Sequence, residues 1–291
     1  VIRYAKPKSV EEALGLLARD RWRILAGGTD FYPAQGTRPI AENILDINGL
    51  AGLRGVAETG THHVFGARTT WTDIIREKTL PPAFDALKQA AAEVGSVQIQ
   101  NVGSIAGNLC NASPAADGVP PLMVLDAEVE LRSRAAVRHV PLAGFIQGSR
   151  RTALRTDEMV TAIRVPKTSA AGTSSFIKLG ARRFLVISIA MAAARIERDP
   201  DGRIKAAAIS VGSCSVVAQR IGGLERSLVG LPARVDDVID AVAGCDLSVL
   251  MPIDDVRASA DYRREAAREI IARAAAAALG EPGRGSRAAA A

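Results

Sequence analysis

Gly103-Ser-Ile-Ala-Gly-Asn-Leu-Cys-Asn-Ala-Ser-Pro-Ala-Ala-Asp117 gathers small residues, two side-chain amides, two hydroxyls and one carboxylate into a single run. The run has neither helical nor strand periodicity, which predicts a loop whose backbone faces a partner rather than itself. Glycine lets a ligand approach the main chain closely. Ser104, Asn108, Asn111 and Ser113 offer hydrogen bonds, and Asp117 offers an acceptor for a ligand hydroxyl or ring N–H. An ordinary long surface loop would have the same texture. A second loop far upstream decides between the two.

That loop is Ala26-Gly27-Gly28-Thr29-Asp30, delivered by the apolar strand Trp22–Leu25. Adjacent glycines leave main-chain N–H groups unshielded, the arrangement of an anion-binding concavity, and Thr29 adds a hydroxyl. No Gly-Lys-Ser/Thr follows, so it is not a Walker loop, and it is not the G-x-G-x-x-G fingerprint.

Composition bounds the rest. A chain of 291 residues with 48% hydrophobic content is long enough for two domains with real cores. The net charge of +6 could attract a polyanion. However, the clusters Arg132/Arg134/Arg138 and Arg150/Arg151/Arg155 lack interleaved aromatics, and aromatics make up only 4%, so nucleic acid is not expected. Cys110, Cys214 and Cys245 are too few for an iron–sulfur cluster of the common four-thiolate types and do not form a disulfide framework. His62 and His63 are adjacent and His139 stands apart, so no metal site is expected. Ser213-Cys214-Ser215 reads as packing rather than a reactive thiol. No signal-peptide pattern occupies Val1–Asp20, and the apolar run Phe184–Ala194 is too short to span a bilayer. A cytoplasmic protein with no membrane span is expected.

Along the chain, Ser9 and Glu12 form a capping box for a helix burying Val10, Ala13, Leu14 and Leu17. Strands are expected at Ile44–Ile47, Val64–Ala67, Ala127–Leu131, Val137–Val140 and Glu158–Val165. Helices are expected from Thr70 or Thr72, over Pro82–Val94 ending at Gly95, and over Pro120–Leu125. Lys167–Thr173 reads as a linker. Beyond it come strands Ser174–Leu179, Ile187–Ile196 and Arg203–Val211, with a turn at Asp199-Pro-Asp-Gly202. Helices follow at Gln219–Val229, Val235–Ala243 and Ser259–Leu279, then a tail with the composition of a disordered end.

The two loops, in this order and about eighty residues apart, resemble those of the FAD-binding medium subunit of the molybdenum hydroxylases, the xanthine dehydrogenase and carbon monoxide dehydrogenase family. The resemblance runs from Tyr4-Ala-Lys-Pro7 to Asp261-Tyr-Arg-Arg264. It implies an α+β fold: a PCMH-type FAD-binding domain of two α+β subdomains over 1–168, a C-terminal domain of three-stranded antiparallel sheet plus helices over 169–280, and a tail at 281–291. It also implies that Arg23, Ile24 and Leu25 lead into Ala26, Gly27, Gly28, Thr29 and Asp30, which wrap the pyrophosphate and ribose. Ser104, Ile105, Ala106, Gly107 and Asn108 would take the other side of the diphosphate. Asp117 would hold a polar group of the cofactor. Gly95 would lie where a helix end approaches it, Val160 would touch the adenine or ring region, and Lys178 would approach the isoalloxazine. The family commonly has Gly-Gly-Asn where this chain has Ala106-Gly107-Asn108, so the Ala106 methyl requires negative φ. It commonly has arginine where this chain has Gln100. No residue is implied as nucleophile or general acid.

The implied partners are a large molybdenum-pterin subunit and a small subunit with two [2Fe–2S] clusters, as a dimer of heterotrimers. This chain would then carry FAD and pass electrons to an external acceptor. A stand-alone flavin reductase or oxidase of the same fold, and a non-enzymatic nucleotide- or nucleic-acid-binding module, remain the alternatives.

Overall fold

The computed structural model describes residues 2–183 and 185–280. The expected tail at 281–291 lies outside them. The chain opens with β1 (Tyr4–Ala5) and α1 (Val10–Leu17), followed by β2 (Arg23–Leu25), α2 (Phe31–Gln35) and β3 (Ile44–Asp46). These strands form a small parallel sheet in the order β1-β3-β2. Ser9 caps α1 through the amide of Glu12 at 3.1 Å, but the Glu12 carboxylate reaches the Lys8 amide rather than that of Ser9. The helix lays Ala13, Leu14 and Leu17 against Leu45, Ile47 and Trp22.

A second unit follows with β4 (Val56–Glu58), β5 (His62–Gly66), α3 (Trp71–Arg76), α4 (Asp85–Glu93), α5 (Val97–Val102), α6 (Ile105–Asn111), α7 (Val119–Val124), β6 (Glu128–Arg132), β7 (Val137–Pro141), α8 (Leu142–Phe145), β8 (Ile146–Gly148), β9 (Arg151–Thr152) and β10 (Met159–Pro166). Its main sheet is antiparallel in the order β4-β5-β10-β6-β7. The helices pack on its inner face through Phe65, Phe84, Leu87, Ile105, Leu109, Leu122 and Ile163.

The start of α3 shows how local chemistry places a functional wall. Thr70 and Asp73 form a reciprocal capping box, and Arg54 grips the Asp73 carboxylate with two hydrogen bonds of 2.8 and 2.9 Å. Partial burial works to raise the Asp73 carboxyl. The Arg54 and Thr70 bonds outweigh it and hold the group down at about 2. Asp73 therefore stabilises the fold above its unfolded pKa, and that contribution is lost as pH falls through the folded value. Asp73→Asn is expected to cost about 1–2 kcal/mol at pH 7. Denaturation midpoints of the two proteins should draw together as pH falls from about 4 to about 2; a difference that does not shrink over that range refutes the assignment.

The C-terminal sheet consists of β11 (Thr173–Leu179), β12 (Ala190–Arg198), β13 (Ile204–Gly212) and β14 (Gln219–Arg220), paired antiparallel in that order. The helices α9 (Gly222–Leu228), α10 (Val235–Ala243) and α11 (Ala260–Ala278) cover it through Leu224, Val238, Ile271 and Ala275. Three strands are long, as expected. The fourth is a two-residue strand where Gln219–Val229 was expected to be wholly helical. Its residues pair with Ser210 and Val211, and the helix begins only at Gly222.

A larger departure is the opening stretch, 103–117, which is not a loop throughout. Ser104 accepts the Gly107 amide at 3.2 Å and starts α6, which buries Ile105, Ala106 and Leu109 and ends at Ala112 in the left-handed region (φ +47°). The helix is short and carries glycine and asparagine inside it, so its apolar pattern is one turn long and hides in the sequence. Ala106 lies within this helix at negative φ, where its methyl is tolerated. Gln100 donates to the carbonyls of Ala92 and Val94 at 3.0 and 3.2 Å, closing the end of α4, and Gly95 follows at φ +55°.

The two halves of the chain are fastened together. Along edge strand β11, Ser174 bonds the Ala86 amide at 2.9 Å, the Phe176 amide bonds Gln89 at 2.7 Å, and Lys178 bonds the Glu93 carbonyl at 3.3 Å. Residues two apart on the strand thus meet residues one turn apart on α4, and the Phe176 amide on the strand's open edge is paired.

Candidate functional site

A cavity of about 700 Å³ opens between the first subdomain and the second. Residues Arg23 through Asp30 line one wall, Ser104, Ala106, Gly107 and Asn108 the facing wall, and Val160 contributes from β10. Gly95, Ile105, Asp117 and Lys178 are not among its lining residues. Ile105 is in the core beneath α6, and Gly95 packs against Ile99, which does line the cavity.

The two walls touch. A Cβ on Gly27 would sit 1.9 Å from the Val102 carbonyl oxygen and 2.6 Å from its carbon, so only glycine permits this approach. Gly28 has φ +72°, the left-handed region, and turns the chain under the Tyr32 ring. Asn111 donates to the Asp30 carboxylate at 2.8 Å, a bond across the two sequence-distant loops. Asn48 holds the Ala26 carbonyl at 2.8 Å from below.

The donors differ between the walls. Among the described residues, no hydrogen bond is made by the amides of Gly27, Gly28 or Thr29. In the facing wall the amides of Ile105, Ala106, Gly107 and Asn108 are engaged with Thr69, Ala67 and Ser104. That wall therefore offers side chains: the Ser104 hydroxyl and Asn108, whose Oδ1 is buried without a partner. Arg23 also lines the cavity, but its charge is met by Glu42 at 3.0 Å and its guanidinium stacks on Phe31. Sequence reasoning missed Trp71, Leu154, Arg155 and Thr156. Arg155 stands in the turn before β10, and in the sequence it read only as one of the cluster Arg150/Arg151/Arg155 without interleaved aromatics.

Asp117 and Lys178 meet each other. Lys178 Nζ lies 2.6 Å from Asp117 Oδ2, and Ser188 Oγ donates to Oδ1 at 2.8 Å. The Lys178 and Asp117 side chains are 6% and 10% exposed, so this ion pair is buried. Burial pushes the Asp117 carboxyl up, against the pull of Lys178 and Ser188. Cys110 is exposed and lines the cavity, whereas Cys214 is buried, with burial pushing its thiol up to about 11, so Cys214 is not activated. No cluster of His, Cys, Asp or Glu among the described residues could hold a metal.

Free amides in a glycine-walled turn facing the Ser104 hydroxyl and the Asn108 side-chain amide suit an extended ligand with a diphosphate at its centre. An α+β fold with such a cavity between subdomains, backed by a second domain, defines a dinucleotide-binding protein. The chain belongs to the family described as the FAD binding domain in molybdopterin dehydrogenase, whose model matches residues 1–168, and residues 175–278 match the CO dehydrogenase flavoprotein C-terminal domain. It is 34% identical over 238 residues to the nicotinate dehydrogenase FAD-subunit of Eubacterium barkeri, covering 79% of this chain and 80% of that one. It is 29% identical over 287 residues to the xanthine dehydrogenase FAD-binding subunit of Escherichia coli O157:H7, covering 96% and 97%. The solved carbon monoxide dehydrogenase of Hydrogenophaga pseudoflava that lacks the Mo-pyranopterin moiety superposes with a TM-score of 0.84 at 29% identity, over 96% of this chain and 97% of that one. The chain is thus an FAD-binding oxidoreductase subunit.

Proposed function

We propose that this chain carries FAD as the electron-transfer subunit of a multi-subunit molybdenum hydroxylase, beside a large molybdenum-pterin subunit and a small [2Fe–2S] subunit, in a cytoplasmic dimer of heterotrimers. The relatives named above are subunits of dehydrogenases, which supports that assignment. No described helix is long and apolar enough to cross a membrane. The observation that carries the reading is the set of free Gly27, Gly28 and Thr29 amides facing the Asn108 and Ser104 side chains across the cavity.

Within this reading residues 1–168 form the FAD-binding domain and 169–280 the C-terminal domain. Arg23 to Asp30 seat the diphosphate and its ribose, Ser104 and Asn108 close over it, and Val160 borders the cavity beside them. Ile105 and Gly95 act from behind the wall, by fixing α6 and the end of α4. Asp117 and Lys178 reach the flavin as a pair, their opposite charges held in one place. FAD held there would supply the redox chemistry by which electrons pass to an external acceptor. The residues of this chain bind and orient it and exclude water, and none has to act as acid, base or nucleophile.

The test is direct. The chain purified with its natural companions should be yellow, bind one FAD per polypeptide, and travel with molybdenum- and iron-containing subunits. A colourless protein that takes up no added FAD by fluorescence titration overturns the reading.

A further inference from the structure

Resting on the FAD reading, we infer that Arg263, remote in sequence from both cavity walls, is a positioning residue for the flavin site. It is 3% exposed near the start of α11. Its guanidinium donates to the Ile189 carbonyl, to the Ser213 carbonyl at 3.2 Å and to Asp255 at 2.7 Å. Each of the two carbonyls belongs to a segment that grips the stretch following α6. Ser188, next to Ile189, bonds Asp117 at 2.8 Å. The Ser213 amide bonds the Pro114 carbonyl at 3.1 Å. Ser213 holds φ +62°, outside the region serine prefers, so this turn needs outside support.

The gripped stretch is continuous with the cavity wall. Asn108, Cys110 and Asn111 line the cavity, and Asn111 bonds Asp30 across it. One buried cation therefore clamps two loops of the C-terminal domain onto the C-terminal end of the wall that α6 presents. The two terminal nitrogens of this buried guanidinium are bonded while its Nε has no partner, and carbonyls from separate segments held by one group are fixed relative to each other, because displacing either leaves further polar groups unpaired. Asp255 anchors the guanidinium in turn, its carboxylate held down at about 2 by the Arg257 amide first and, against some desolvation, by Arg263 itself.

The experiment uses the assembled complex and measures the rate at which FAD leaves on dilution, by the rise of free-flavin fluorescence. Arg263→Met should release FAD about tenfold faster, a change of the order one buried charge-assisted bond supplies. Arg263→Lys should be intermediate and Ser188→Ala about threefold faster. The double variant Arg263→Met/Ser188→Ala should release no faster than Arg263→Met alone, since both act through one clamp. Val238→Ala removes methyls from the core of the same domain without removing any hydrogen bond of the clamp, and should lower the melting temperature while leaving FAD release unchanged. Release from Arg263→Met no faster than from Val238→Ala, or a double variant in which the two effects multiply, overturns the inference. If Arg263→Met does not assemble, Arg263→Lys and Ser188→Ala decide on the same criteria. Failure of the wild-type complex to hold any FAD overturns the underlying reading instead.

Discussion

Gly27→Ala is expected to weaken FAD binding about 10- to 100-fold while the chain still folds. The added methyl would lie 1.9 Å from the Val102 carbonyl oxygen, and that oxygen is backbone, with no rotamer to escape into. One of the two walls has to retreat. Overpacking of this kind costs about 1–3 kcal/mol when neighbours can shift. Here the shift falls on the turn that presents the free amides, so the loss appears in flavin affinity as about a 10- to 100-fold weakening or more. Gly15→Ala is the matched control: nothing lies within 4 Å of its Cβ, and it sits inside α1, where alanine should add about 0.5–1 kcal/mol. Flavin content after gel filtration and the affinity from titration read the outcome. Full flavin occupancy in Gly27→Ala would mean that the cofactor does not depend on this contact.

The second large effect is at the buried pair. Lys178→Met leaves Asp117 buried without its counter-charge, which is expected to cost about 3–5 kcal/mol of stability at neutral pH. Lys178→Met/Asp117→Asn should recover much of that loss, because no lone charge then remains. The sign of the pH dependence follows from Asp117. Burial raises its pKa in the folded protein, so the folded state holds that proton more tightly than the unfolded chain. Stability contributed by this group rises as pH falls through the folded pKa, and the deficit of Lys178→Met should shrink towards acid. Melting temperatures across pH check this; a deficit that is flat with pH rules it out. The reduction potential of the bound flavin is the separate readout of function. A more negative potential in the double variant, with stability recovered, would place the Lys178 charge on the flavin; an unchanged potential would leave the pair a purely structural latch.

Much of this site was legible in the sequence for a definite reason. Ala26-Gly-Gly-Thr-Asp30 follows an apolar strand and carries its meaning locally: adjacent glycines expose amides whatever surrounds them, and those amides do stand free in the cavity wall. Residues 103–111 form a cavity wall, but their helix was not legible, because a single turn of buried Ile105 and Leu109 does not make a periodic pattern. Arg155 was hidden among neighbouring charges. The small strand at Gln219–Arg220 was hidden because two residues of sheet pairing leave no alternation to read.

Local residue chemistry by itself determined the α+β class, the three long C-terminal strands, the helices α4, α7, α10 and α11 to within a residue or a turn, and the two stretches that face the cavity. These follow from hydrogen bonds and burial within a few residues of each other in the chain. Only the tertiary structure decided that Gly27 meets Val102, that Asn111 bonds Asp30, that Asp117 and Lys178 satisfy each other, and that Arg263 holds the segments gripping this wall. Each of those partners is far away in sequence, and a polar side chain advertises its need for a partner but not which distant group will be folded against it.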